Sequence, residues 1–158
     1  MRPMTRRTAL SSFGAAGAGT CLCGLGGGCA TFTKVGATPV LAPEAYTIAA
    51  RQLRIDLGRA PALACVGGAA KLLDPRLPTP IIVARTAEAD YAAASLLCPH
   101  RGVEVEYQHE QQRFRCASLG HSTFGMDGTL KKGFARKGLA HYAAHLDPAE
   151  NRRLLVSW

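Results

Sequence analysis

Aromatic residues make up only 6% of these 158 residues, and a single tryptophan is present. The core must therefore be assembled from small aliphatic side chains with a few large anchors, although the hydrophobic fraction of 47% is ordinary. Dense basic runs are also lacking. The formal charge is +8, but Arg2, Arg6 and Arg7 stand in an N-terminal segment without an acid, and without residues 1–30 the balance is 16 basic to 11 acidic side chains, or +5. That excess is spread over Arg101, Arg113, Arg115, Lys131, Lys132, Arg136, Lys137, Arg152 and Arg153, with no interleaved aromatics to stack bases. Nucleic-acid binding is thereby disfavoured, and an acidic protein partner suits such a face better. No stretch after residue 45 carries the periodicity of a long amphipathic helix.

A complete disulfide framework is missing too. Cys21, Cys23 and Cys29 fall in the first 30 residues, which leaves Cys65, Cys98 and Cys116, an odd number. The apolar setting of Cys65 in PALACVGG predicts a small buried core residue. A Cys98–Cys116 disulfide would suit an exported protein but would leave the neighbouring histidines unexplained.

What is present begins with a targeting layout. Residues 1–30 combine a basic start with a Gly- and Ala-rich run that holds no charge after Arg7. Thr5, Arg6, Arg7 and Leu10 resemble the twin-arginine export signal, with Ala9 where Phe is commoner. Export to the periplasm, with this segment cleaved as a signal, is expected. Seven glycines weaken it as a permanent membrane anchor, and lipid attachment at Cys29 is the less favoured alternative. Export of already folded proteins by this route fits a protein with an inserted cofactor. Residues 31–45, with two prolines and no periodicity, are expected to be a linker, and 46–158 the folded domain.

Within that domain short runs suit strands: YTIAA at 46–50, QLRID at 52–56, ALACV at 62–66, PIIVAR at 80–85, YAAASLL at 91–97, VEVEYQ at 103–108 and RFRCA at 113–117. Val103, Val105 and Tyr107 alternate with Glu104, Glu106 and Gln108, which predicts a half-buried strand. Asp127-Gly128 is a hairpin turn signal, and AHYAAH at 140–145 is too short to assign. The expected class is all-β, an antiparallel sandwich or barrel.

Two loops carry the chemistry. The first reads LCPHRG and places Cys98 two residues before His100; after fifteen intervening residues CASLGHSTF opens with Cys116 and holds His121. Tetrahedral zinc would accept two Cys and two His, but zinc fingers pair Cys with Cys and His with His. One Cys and one His on each loop suit a two-iron cluster in which one iron takes both thiolates and the other both imidazoles.

CPHRG, the spacer, Cys116 and His121 resemble the Rieske 2Fe-2S pattern, CxH followed by CxxH. VGG at 66–68, PIIVAR, YAAASLLCPHRG and STFGMDGTLKKGFARKGLAHY follow that family in order, over residues 46–158. The resemblance implies a Rieske-like β domain with two loops on a 2Fe-2S cluster, Cys98 and Cys116 on the inner iron, and His100 and His121 on the outer iron that changes valence. It further implies that the outer imidazole nitrogens release protons on oxidation, and that Ser122 donates a hydrogen bond to a cluster sulfur. The chain departs from the pattern at three places. Leu119 occupies the histidine position of CxxH and Gly120 precedes His121 instead of following it. Val103 and Ser118 stand where respiratory members carry a second pair of cysteines, and Phe134 replaces the proline of the Gly-Pro-Ala loop. Phe124 stands where high-potential members have Tyr, so a potential below theirs is expected.

The function this implies is one-electron transfer by an exported protein, a soluble carrier or the small subunit of a periplasmic oxidoreductase, with redox proteins as donor and acceptor. The iron–sulfur subunit of a quinol–cytochrome c oxidoreductase is the alternative. CPHRG is also similar to the loop of ring-hydroxylating oxygenases, which are cytoplasmic. A cluster-free binding domain and a cysteine nucleophile at Cys98 or Cys116 complete the readings; no orienting third group is recognisable for the latter, and no catalytic residue is assigned.

Overall fold

Contiguous apolar runs such as IIVAR can be strands only if both of their faces are covered, and this requirement organises the molecule. The computed structural model describes residues 38–158; the expected signal, with Arg6, Arg7 and Cys29, and the first part of the linker lie outside them. Eleven strands are described: β1 Tyr46–Ala49, β2 Gln52–Asp56, β3 Ala69–Leu72, β4 Ile81–Arg85, β5 Tyr91–Ser95, β6 Val105–Gln108, β7 Arg113–Cys116, β8 Thr123–Gly125, β9 Leu130–Lys132, β10 His141–Asp147 and β11 Glu150–Ser157. They form a seven-stranded sheet, β1-β2-β11-β10-β5-β4-β3, and a four-stranded sheet, β6-β7-β8-β9. All neighbours are antiparallel. Besides strands the described residues contain only three single-turn 3-10 helices, and no described helix is long and apolar enough to cross a membrane. The protein is all-β.

Side chains alternate across a strand, so β4 feeds two cores at once. Ile81 and Val83 join Leu53, Ile55, Leu63, Leu72, Leu154 and Val156 in one buried cluster. Ile82 and Ala84 join Phe114, Phe124, Val105, Tyr107 and the two ligand-type cysteines in the other. β5 does the same with Ala93 on one side and Ala92 and Ala94 on the other. The small alanines suit close approach of the four-stranded sheet, whose Phe114 and Phe124 are fully buried and each contribute about 2–3 kcal/mol of hydrophobic stabilisation.

Several expectations are met with trimmed ends: β1, β2, β4, β5, β6 and β7 lie within the predicted runs, and the Asp127-Gly128 turn joins β8 to β9. There Gly128 takes φ 78, the left-handed region that favours glycine, and the Asp127 carboxylate accepts the Thr129 N–H. Other expectations are corrected. ALACV is not a strand: Pro61–Leu63 makes a 3-10 turn, set by the proline at its first position, and the strand comes later as β3. Cys65 is exposed, because the chain turns there instead of running through the core. β6 is covered on both faces, with Glu106 buried beside Val105 and Tyr107; in register it opposes Arg115, a favourable cross-strand pairing. HYAAH at 141–145 is part of β10, and His141 and His145 are exposed on it.

The described end of the expected linker is docked on β3. Leu41 N–H donates to the Lys71 carbonyl and Lys71 N–H to the Pro39 carbonyl, both at 2.8 Å, and Leu41 is buried.

Candidate metal centre

The first loop connects β5 of the large sheet to β6 of the small one, and closes on itself. Cys98 N–H donates to the Val103 carbonyl at 2.8 Å, while the Cys98 carbonyl accepts the Gly102 N–H at 2.8 Å. Gly102 makes this possible with φ 67. The second loop is the tip of the β7–β8 hairpin: Cys116 N–H donates to the Ser122 carbonyl at 2.8 Å, and His121 N–H to the Ser118 carbonyl at 2.9 Å. The loops are tied together by Ala117 N–H, which donates to the Glu104 carbonyl at 3.1 Å. Glu104 is in turn held by Lys71 Nζ at 2.9 Å, a largely covered ion pair that fastens the first loop to β3.

This framework brings three ligand atoms together. Cys98 Sγ, Cys116 Sγ and a His100 ring nitrogen lie within 4.8 Å of one another, both cysteines fully buried and His100 half-buried. Cys98 Sγ is 3.3 Å from His100 Nδ1. The two thiols are not joined in a disulfide. His121 is not part of the converging group; it is exposed and carries φ 38, a left-handed backbone costly for any residue with a Cβ. The order of Gly120 and His121 explains the cost. The position that needs a glycine falls on the histidine, while Gly120 lies beneath the ring of Phe134, which a Cβ there would strike.

A third segment, missed from sequence as a support, holds the second loop from behind. Gly133 has φ 109, and a Cβ on it would collide with the backbone of Ser122. One residue on from Phe134, Ala135 N–H donates to Ser122 Oγ at 3.0 Å. Ser122 is fully buried, and its hydroxyl favours the charged form of Cys98. Ser118 Oγ lies 3.2 Å from Cys116 Sγ, so each cysteine has a hydroxyl neighbour. Only the Gly and Ala of GFA at 133–135 hinted at this arrangement; Lys71 gave no local signal.

Burial pushes the Cys98 thiol up from its ordinary value, with Cys116 adding to the rise, whereas the His100 backbone N–H and the Ser122 hydroxyl oppose it. A pair of buried thiols hydrogen-bonded by N–H and O–H donors is suited to accept a metal that replaces their protons. The donor set of two soft sulfurs and an imidazole fits an iron–sulfur cluster or a zinc-like ion, and not a hard oxygen-seeking cation. His109 belongs elsewhere: its Nδ1 is 2.8 Å from the Tyr107 hydroxyl and its ring covers Gly67.

No family model matches the chain, and no curated protein matches it. Among solved structures, the chain is similar to the cyanobacterial plasma membrane Rieske protein PetC3 from Synechocystis PCC 6803, at 23% identity and a TM-score of 0.47, over 57% of this chain and 86% of that one.

Proposed function

We propose that the protein is a one-electron carrier that holds a Rieske-type 2Fe-2S cluster between the two loops. The observation that carries this reading is the convergence of Cys98, His100 and Cys116 within 4.8 Å, on loops whose sequence spacing is that of mixed Cys/His ligation. Cys98 and Cys116 would hold the inner iron, His100 the outer one, and His121 would complete the set from its exposed loop. A cluster so ligated supplies reversible one-electron chemistry at a potential above that of an all-thiolate cluster. The chain's own residues do the rest. The two aromatic rings of Phe114 and Phe124 exclude water on the buried side, and the His100 backbone N–H and the Ser122 hydroxyl stabilise negative charge on Cys98 sulfur. The half-buried His100 offers the path between the buried sulfurs and the surface.

Consistent with the N-terminal pattern, this carrier would act after twin-arginine export in the periplasm, as a soluble protein or the small subunit of an oxidoreductase. Electron paramagnetic resonance of the dithionite-reduced protein, with iron and sulfide analysis, tests the reading. A mixed His/Cys signal lost in Cys98→Ser and His121→Ala is expected; folded, anaerobically purified protein without iron would overturn it.

The convergence of three donors without His121 favours a second reading, a single zinc-like ion on Cys98, His100 and Cys116. One zinc per chain, no sulfide and no effect of His121→Ala would select it.

A further inference from the structure

The two most exposed large hydrophobic side chains of the described residues meet at one place. Leu119 is 96% exposed at the tip of the second loop, and Phe134, 75% exposed, packs its ring over Gly120 beside it. Neither stabilises the fold by burial, and both are held in position by the site's own framework. Gly133 lies against Ser122 and Ala135 is bonded to it, which fixes Phe134 between them, while the His121–Ser118 bond closes the loop that displays Leu119.

The loops that carry and flank this pair bear charge of one sign, and the nearest acid along the chain, Glu104, is already paired with Lys71. The three segments that meet here, 98–103, 117–122 and 131–138, contain no acidic residue. They expose Arg101, Lys132, Arg136 and Lys137, none of which forms an ion pair with a described residue. An apolar pair on loops whose exposed cations have no ion-pair partner among the described residues is complementary to a protein that presents an apolar spot beside acidic side chains. Nucleic acid would use the cations but leave Leu119 idle, and the described chain offers no amphipathic helix to lie on a lipid surface.

We infer that Leu119 and Phe134, with Arg101, Lys132, Arg136 and Lys137, form a docking face for an acidic redox protein. The redox character of that partner rests on the proposed cluster; its charge and shape rest on this surface alone. Docking there sets the partner directly over the loop that carries Cys116, His121 and Ser122.

Surface plasmon resonance of the full chain over immobilised cytochrome b5, a small acidic haem protein, tests the inference, with a basic cytochrome c and phosphatidylserine vesicles as parallel surfaces. Binding to the acidic protein is expected, weakening on the order of tenfold between low and physiological salt, as association steered by charge does. Arg101→Glu with Arg136→Glu and Lys137→Glu should abolish it, while Arg51→Glu, on the β1–β2 turn of the other sheet, should leave most of it. Leu119→Ser should weaken binding equally at both salt concentrations. No binding to the acidic protein, equal binding to the basic one, binding to vesicles alone, or indifference to both sets of substitutions would overturn the inference. Circular dichroism establishes that each variant folds. Iron analysis of the same samples separates the two hypotheses, since docking by an iron-free protein would refute the cluster and leave the surface standing.

Discussion

Ser122 Oγ accepts the Ala135 N–H at 3.0 Å while its hydroxyl favours the thiolate of Cys98, so one buried side chain links the supporting segment to the first loop. Ser122→Ala should orphan a buried N–H, at a cost of about 1–3 kcal/mol. Urea denaturation should show the loss, and a redox titration of loaded protein should show a lower potential, because a donor to sulfur is gone. Unchanged stability would sink the structural role, and an unchanged potential the electronic one.

The left-handed backbone of His121 gives a test that separates strain from function. His121→Gly should stabilise the metal-free protein, by up to about 1 kcal/mol, since glycine adopts φ 38 without a Cβ clash. The same change should lower iron content if the imidazole is a ligand. A gain in stability with full iron retention would remove His121 from the ligand set, and Leu119→His would then probe the neighbouring position.

Acid sensitivity should centre on Asp74. The Arg76 guanidinium and backbone N–H, with the Tyr46 hydroxyl, hold its carboxyl well below the usual carboxylate range. The unfolded chain therefore binds the proton first. The contribution of Asp74 is fully present above its unfolded pKa of about 3.9 and is lost as pH falls further toward the folded value. Urea midpoints measured from pH 5 to pH 2 should fall less steeply in Asp74→Asn than in wild type. Parallel curves would contradict the linkage.

The cysteines should separate by reactivity. Cys65 is exposed, whereas Cys98 is buried and its thiol is pushed up by that burial. Iodoacetamide on folded, metal-free protein at pH 7, followed by peptide mass mapping, should label Cys65 well before Cys98, because the thiolate is the attacking form. Labelling of Cys98 as fast as Cys65 would show that the first loop opens readily.

Local patterns by themselves determined a good deal. Period-2 alternation and apolar runs marked β1, β2 and β4 to β7, and the turn chemistry of Asp127-Gly128 marked the β8–β9 hairpin, since each depends on neighbours in the chain. The spacing of Cys98, His100 and Cys116 likewise named three residues that the fold brings within 4.8 Å. Only tertiary structure decided the rest. That Cys65 faces out, that Lys71 fastens Glu104 across 33 residues, and that Gly133 and Ala135 brace Ser122 all follow from contacts between segments distant in sequence. The two-residue delay of His121 was visible in the sequence. Its consequence, a histidine carrying the left-handed turn that glycine would occupy more cheaply, depends on how the hairpin tip closes against the segment behind it.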